Sequence, residues 1–190
     1  MKSTATKWSA SCLIGYHPLP LSLLAKPFQG APIVSKLTNY TFDELAIGDT
    51  ATFTRTLEEK DLILFAAVSG DINPLHLDPE FASTTPFKER IAHGAWSGSL
   101  ISAALANVMP GPGTVYLGQS LKFQRPVKLG DTLTVQLEVK EKQERRNQVT
   151  FITQVVNQEG KTVVSGEAEV MAPKEKMTLE APALPPIRIG

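Results

Sequence analysis

The chain of 190 residues carries a single cysteine, three histidines and no net charge, and each shortage excludes something. With Cys12 alone there is neither an internal disulfide framework nor a cysteine-based metal site, which fits a reducing compartment. Nineteen basic residues balance nineteen acidic ones, so no global field draws the protein to nucleic acid or to an anionic membrane. Any anionic ligand must be met by a local patch. No stretch reaches the roughly 18 to 20 consecutive apolar residues of a membrane span, so the chain is expected to be soluble. No glycine-rich phosphate loop of the P-loop or dinucleotide type occurs. The three histidines are too scattered along the chain for a metal-ligand pattern, and no metal is expected.

Acid is also missing locally. The first 42 residues hold four lysines, no Asp or Glu, and the prolines Pro18, Pro20, Pro27 and Pro32. Such a leader has the acid-poor character of an organelle transit peptide, but it lacks Arg, and proline breaks the apolar run PLPLSLL that a secretory signal would need. Residues 1–38 are therefore expected to be a disordered leader on a cytoplasmic protein, with organelle import as the alternative. Residues 173–190 are Pro-rich and read as a tail. With 42% hydrophobic residues overall, the remaining segment, 39–172, is long enough for one domain with a sizeable core.

Within that segment the pattern changes in order. TATFTRTL (50–57) alternates as a strand should, and the spacing Thr56-Leu57-Glu58-Glu59 predicts a capping box and a helix running to Ser69, stopped by Gly70. Asp78-Pro79 predicts an N-cap and the first position of a short helix. The stretch GAWSGSLISAALANV (94–108) has no charged residue, so it predicts a helix buried on nearly every side. After the turn-rich MPGPG the chain reads as strands: VYLGQSLKF, TLTVQLEVK, QVTFITQVVN and TVVSGEAEVM, the last two separated by QEGK. One buried helix followed by antiparallel strands implies an α+β fold with a sheet wrapped around the helix.

The chemistry concentrates in SGDINPLHLD (69–78). Asp71 and His76 lie five residues apart, and across a bent loop both can point at one water. Pro74 fixes its own φ and restricts Asn73, which limits the freedom this loop has to lose. Such a pair can take one proton and deliver another, and a reaction that develops an oxyanion also needs hydrogen-bond donors for it. Taken alone, the spacing fits equally well an Asp in a turn and a His in the core. Gly94 opens the charge-free helix, whose first N–H groups lack intrahelical partners and can serve as such donors, or it merely eases packing. His93 either caps or closes the site or is a satisfied buried histidine. Asn73 holds a water or an Asx-turn, and Trp96 is core or pocket wall.

Three blocks, AAVSGDINPLHLDPEFA, IAHGAWSGSLISA and GPGTVYLGQSLKFQRPVKLGDTLTV, together resemble the MaoC-like, (R)-specific enoyl-CoA hydratases of the hotdog fold, over about residues 42–171. They are similar as well to the hydratase domain of bacterial fusions with phosphate acetyltransferase. The resemblance implies a hydro-lyase that interconverts trans-2-enoyl-CoA and (R)-3-hydroxyacyl-CoA without a cofactor, as a homodimer. It carries the catalytic pair onto Asp71 and His76, the oxyanion N–H onto Gly94, and an aspartate-orienting serine onto Ser102, which could otherwise be a small packing residue. Trp96 is expected to face the pocket and limit acyl chains to roughly four to six carbons. Lys88, Arg90, Lys122, Arg125 and Lys128 are weak candidates for coenzyme A phosphates. Other readings in view are an acyl-carrier-protein dehydratase, a thioesterase and a non-catalytic acyl-CoA-binding module.

Overall fold

Alternating Thr-rich and Val/Leu-rich segments build the sheet, and one uncharged helix lies against it. The computed structural model describes residues 36–187. Its elements run β1 (Lys36–Thr38), β2 (Thr50–Thr56), α1 (Glu59–Ser69), α2 (Pro74–Leu77), α3 (Pro79–Thr84), α4 (Gly94–Asn107), β3 (Val115–Phe123), β4 (Thr132–Gln143), β5 (Gln148–Val156), β6 (Thr162–Met171) and β7 (Thr178–Glu180). Five strands form an antiparallel sheet in the order β2-β4-β5-β6-β3. The expected alternation in β4 holds: Leu133, Val135, Leu137 and Val139 are all buried, and they meet Val149, Phe151 and Val155 of β5 in the core. Helix α4 packs on the same core through Trp96, Leu100, Ile101, Ala104 and Leu105. Each of Leu100, Ile101 and Leu105 contributes about 1.5 to 3 kcal/mol by leaving water.

Close backbone approach closes the last strand pair. Gly166 of β6 lies under β3 so tightly that a Cβ there would sit 1.8 Å from the Ser120 carbonyl oxygen, so any side chain would force the strands apart.

Several expectations need correction. The helix begins two residues later than the Thr56 capping box implied, because Thr56 is spent in β2, where its hydroxyl meets that of Thr132 at 2.8 Å. Glu58 is the N-cap instead, and Asp61 accepts its N–H at 2.9 Å. Arg55 then ties β2 to α1 through a 2.6 Å ion pair with the buried Asp61.

Helix α4 is not covered all round. Ala95, Ser99, Ser102 and Ala106 form an exposed stripe at helical spacing. The absence of charge on that stripe came from a face this chain does not itself cover.

The ordered unit also reaches beyond both assumed boundaries. Residues 36–38, assigned to the leader, pair antiparallel with 178–180, assigned to the tail. Asn39, fully buried, clamps this pair by donating to Glu175 O at 2.8 Å and accepting from Met177 N at 2.9 Å. Propensity cannot reveal such a pairing between distant ends. The rest of the leader, residues 1–35, lies outside the described residues.

Candidate active site

Helix α1 ends where the chemistry begins. Gly70 takes the left-handed conformation (φ 77°) and turns the chain, its N–H donating to Ala66 O. Ser69 donates to Phe65 O at 2.6 Å and accepts the Asp71 N–H at 3.2 Å, which sets the direction in which Asp71 leaves the helix. Asp71 Oδ1 accepts the Asn73 N–H at 3.2 Å, and Asn73 Oδ1 in turn accepts the Leu75 N–H at 3.1 Å. Asn73 is thus the N-cap of the single-turn helix α2, with Pro74 at its first position. Of the two roles open to Asn73, the backbone-capping one is occupied. Asp78 caps α3 as expected, accepting from Glu80 and Phe81.

Helix α2 presents His76 inward, where it is 7% exposed. Its Nδ1 lies 2.8 Å from the main-chain oxygen of Ile91. A carbonyl only accepts, so Nδ1 carries the proton and, in the neutral ring, Nε2 keeps its lone pair. Asp71, by contrast, is exposed in the isolated chain.

His93, just before α4, is buried to 1% exposure, and its Nε2 lies 3.0 Å from the main-chain oxygen of Asp71. Its ring packs against that of His76, tilted by 32° with centroids 3.9 Å apart, and against Phe65 at 5.1 Å and 46°. Burial pushes the His93 pKa below its ordinary value, and the neighbouring His76 acts the same way. The hydrogen bond to the Asp71 backbone and the Asp71 charge oppose this only in part.

One ligand-type atom from each of Asp71, His76 and His93 falls within 4.8 Å of the other two. The histidines judged scattered in sequence are therefore gathered by the fold, two of the three at one point. The donor set suits a transition metal on paper. His93 fits it poorly, because Nε2 is engaged by the Asp71 carbonyl and Nδ1 is sealed from solvent. A water suits the same spacing: atoms less than 4.8 Å apart can share one at about 2.8 Å from each.

Gly94 follows His93 directly. In α4 the Trp96 N–H is already bonded to His93 O at 3.0 Å, and the earlier N–H groups at Gly94 and Ala95 precede any intrahelical acceptor. Gly94 also borders a cleft of about 290 Å³, lined with Phe87, Ala92, Ser97, Phe123 and Arg125 among others. A Cβ at Gly94 would touch the Phe123 ring at 3.2 Å, so only glycine leaves the main chain open there.

Asp71 and His76 do not border this cleft, and neither does Trp96, which is 5% exposed and belongs to the core. Trp96 packs into the core together with Leu100. Ser102 lies on the exposed stripe of α4 and, among the described residues, makes no hydrogen bond to Asp71. Of the basic candidates, Arg90 pairs with Glu59 and Lys128 with Glu89, whereas Arg125 stands at the cleft. The Ile91 carbonyl, which fixes the His76 tautomer, had no sequence signal at all, since any residue supplies one.

The family model described as "MaoC like domain" matches residues 44–161. The chain is 45% identical over 132 residues to an (R)-specific enoyl-CoA hydratase of Rhodospirillum rubrum, covering 70% of this chain and 91% of that protein. It is 43% identical over 136 residues to a 3-hydroxybutyryl-CoA dehydratase of Methylorubrum extorquens, covering 71% and 85%. Among solved structures, the unliganded R-hydratase PhaJ1 from Pseudomonas aeruginosa superposes with a TM-score of 0.80 at 60% identity, covering 82% of this chain and all of the other.

Proposed function

Since the chain belongs to the MaoC-like family and has its hotdog fold, we propose that it hydrates trans-2-enoyl-CoA reversibly to (R)-3-hydroxyacyl-CoA through Asp71 and His76. The observation that carries this reading is the gathering of an exposed carboxylate and a buried, tautomer-fixed imidazole within 4.8 Å, one residue removed from the free N–H of Gly94 through His93.

Water held between Asp71 and His76 attacks Cβ, and the dyad takes its proton. The C=C electron pair moves toward the thioester carbonyl, whose developing oxyanion accepts a hydrogen bond from the Gly94 N–H, with the α4 dipole behind it. A proton returned by the dyad to Cα completes the addition. One water is added and no electrons leave the substrate, so the chemistry asks for no redox group. The Methylorubrum relative supports a four-carbon substrate by its name.

The site is proposed to work in a homodimer. Strand β3 is an edge of the sheet, and it exposes Val115, Tyr116, Leu117, Leu121 and Phe123 beside the uncharged stripe of α4. The opposite edge, β2, shows threonines to solvent. An apolar edge left open invites pairing, and a second copy supplies an equal one. Coenzyme A phosphates are proposed to meet Arg125 at the cleft. Among the described residues no helix is long and apolar enough to cross a membrane.

The test is loss of the conjugated thioester absorbance of crotonyl-CoA, with chiral analysis of the product and a parallel arm using the crotonyl acyl carrier protein. An (S) product, or activity on the carrier protein alone, would overturn the reading. Release of free thiol would show a thioesterase.

A further inference from the structure

His93 is the side chain that touches every part of the proposed site without facing solvent. Its ring lies 3.9 Å from the His76 ring, its Nε2 lies 3.0 Å from the Asp71 carbonyl, and its own backbone leads into Gly94. Because a carbonyl only accepts, Nε2 carries the hydrogen, and the neutral ring leaves Nδ1 with a lone pair. Among the described residues that nitrogen is sealed from solvent and meets no donor.

Stability gives this arrangement no reason to exist. A desolvated lone pair without a partner costs more than one neutral hydrogen bond returns, and an apolar side chain of similar size would fill the space without it. What only the imidazole provides is geometric. The ring packs against His76 at a 32° tilt and at the same time sends an in-plane N–H to the Asp71 backbone.

We propose that His93 is a positioning residue that sets the spacing between Asp71, His76 and the Gly94 N–H while touching neither substrate nor water. This rests on the hydratase reading, and it replaces the expectation that His93 closes or binds at the site. The turn Gly70–Asn73 has few long-range anchors: among the described residues its remaining hydrogen bonds are local, from Gly70 N–H to Ala66 O, Asp71 N–H to Ser69, Asn73 N–H to Asp71, and from the Leu75 and His76 N–H groups to Asn73. Without the His93 bond, Asp71 would keep its chemistry and lose its place.

The experiment compares His93→Leu with His93→Gln in the full-length protein. Leucine fills the space and removes both the donor and the unpartnered nitrogen. Glutamine restores an amide N–H near the position of Nε2. Misplacement of a reacting group by about 1 Å costs on the order of 100-fold, so His93→Leu should lower kcat about 10- to 100-fold on crotonyl-CoA. KM should stay within about threefold, because no substrate contact is lost. His93→Gln should recover most of the turnover, and the melting temperature of His93→Leu should equal or exceed that of the parent.

Amide hydrogen exchange of residues 70–73 gives a readout that needs no turnover: it should accelerate in His93→Leu and return toward the parent rate in His93→Gln. Unchanged kcat in His93→Leu overturns the proposal, and so does a joint fall of kcat and melting temperature that glutamine does not rescue. A parent protein inactive on crotonyl-CoA would instead refute the hydratase reading, and an active Asp71→Asn protein the role given to Asp71, whatever His93 does.

Discussion

Replacing His76 by two amides separates what its two nitrogens do. Nδ1 holds the Ile91 carbonyl at 2.8 Å in a setting where Ile91 is 8% exposed, and Nε2 is the nitrogen left for chemistry. Asparagine places its amide nitrogen where Nδ1 stands, so His76→Asn keeps the Ile91 bond and deletes the far nitrogen. Glutamine reaches the far position and abandons the Ile91 carbonyl.

Leaving a buried carbonyl unpaired costs about 1 to 3 kcal/mol, which lowers the melting temperature of a chain of this size by roughly 2 to 12 °C. His76→Gln should show that loss, and His76→Asn should stay within about 4 °C of the parent. Neither amide can carry a proton to and fro. Both should therefore lose about 10²- to 10⁴-fold in kcat, the usual contribution of a positioned acid–base group. The crotonyl-CoA absorbance assay gives kcat, and thermal and urea melts give stability on the same preparations. His76→Asn with normal stability and turnover within about tenfold of the parent would refute the role given to Nε2.

Asp71→Asn should cut turnover about 10²- to 10⁴-fold with a cooperative melt, since Asp71 is exposed and its local hydrogen bond to Asn73 needs only an oxygen. Sedimentation should show a dimer, and Leu117→Lys, which puts a charge on the apolar edge of β3, should shift it toward monomer; a monomeric parent would remove the edge argument. Asn39→Ala should cost about 1 to 3 kcal/mol by orphaning Glu175 O and Met177 N, and should expose the β1–β7 pair to protease first. For pH, the native His93 resists protonation, held neutral by burial and by His76, with Asp71 and Phe65 its other neighbours. The unfolded chain protonates near the ordinary value of 6.5. Stability is therefore intact above that value and falls as pH drops below it, until the lower native pKa is passed. His93→Gln should remove this component, and identical pH–stability curves for the two proteins would show that His93 does not supply it.

Local physical chemistry was enough for much of this protein. Alternation in 132–140 announced a strand because a pleated chain puts every second side chain in the core. Asp78-Pro79 announced a helix start because a carboxylate can accept N–H groups that the first turn leaves free. The proximity of Asp71 and His76 follows in part from their separation along the chain and from Pro74. Other features depended on residues remote in sequence.

Nothing near His93 in the sequence says that its ring meets His76, 17 positions earlier, or that Ile91 fixes the His76 tautomer from 15 positions away. The charge-free composition of the helix did not say which of its faces is covered. The sheet covers one side through Trp96 and Leu100, while the stripe from Ala95 to Ala106 is exposed in the single chain. The direction of Trp96 and the pairing of residues 36–38 with 178–180 were likewise decided only when distant segments packed together. A side chain's periodicity states which residues share a face, and only the tertiary contacts state what that face meets.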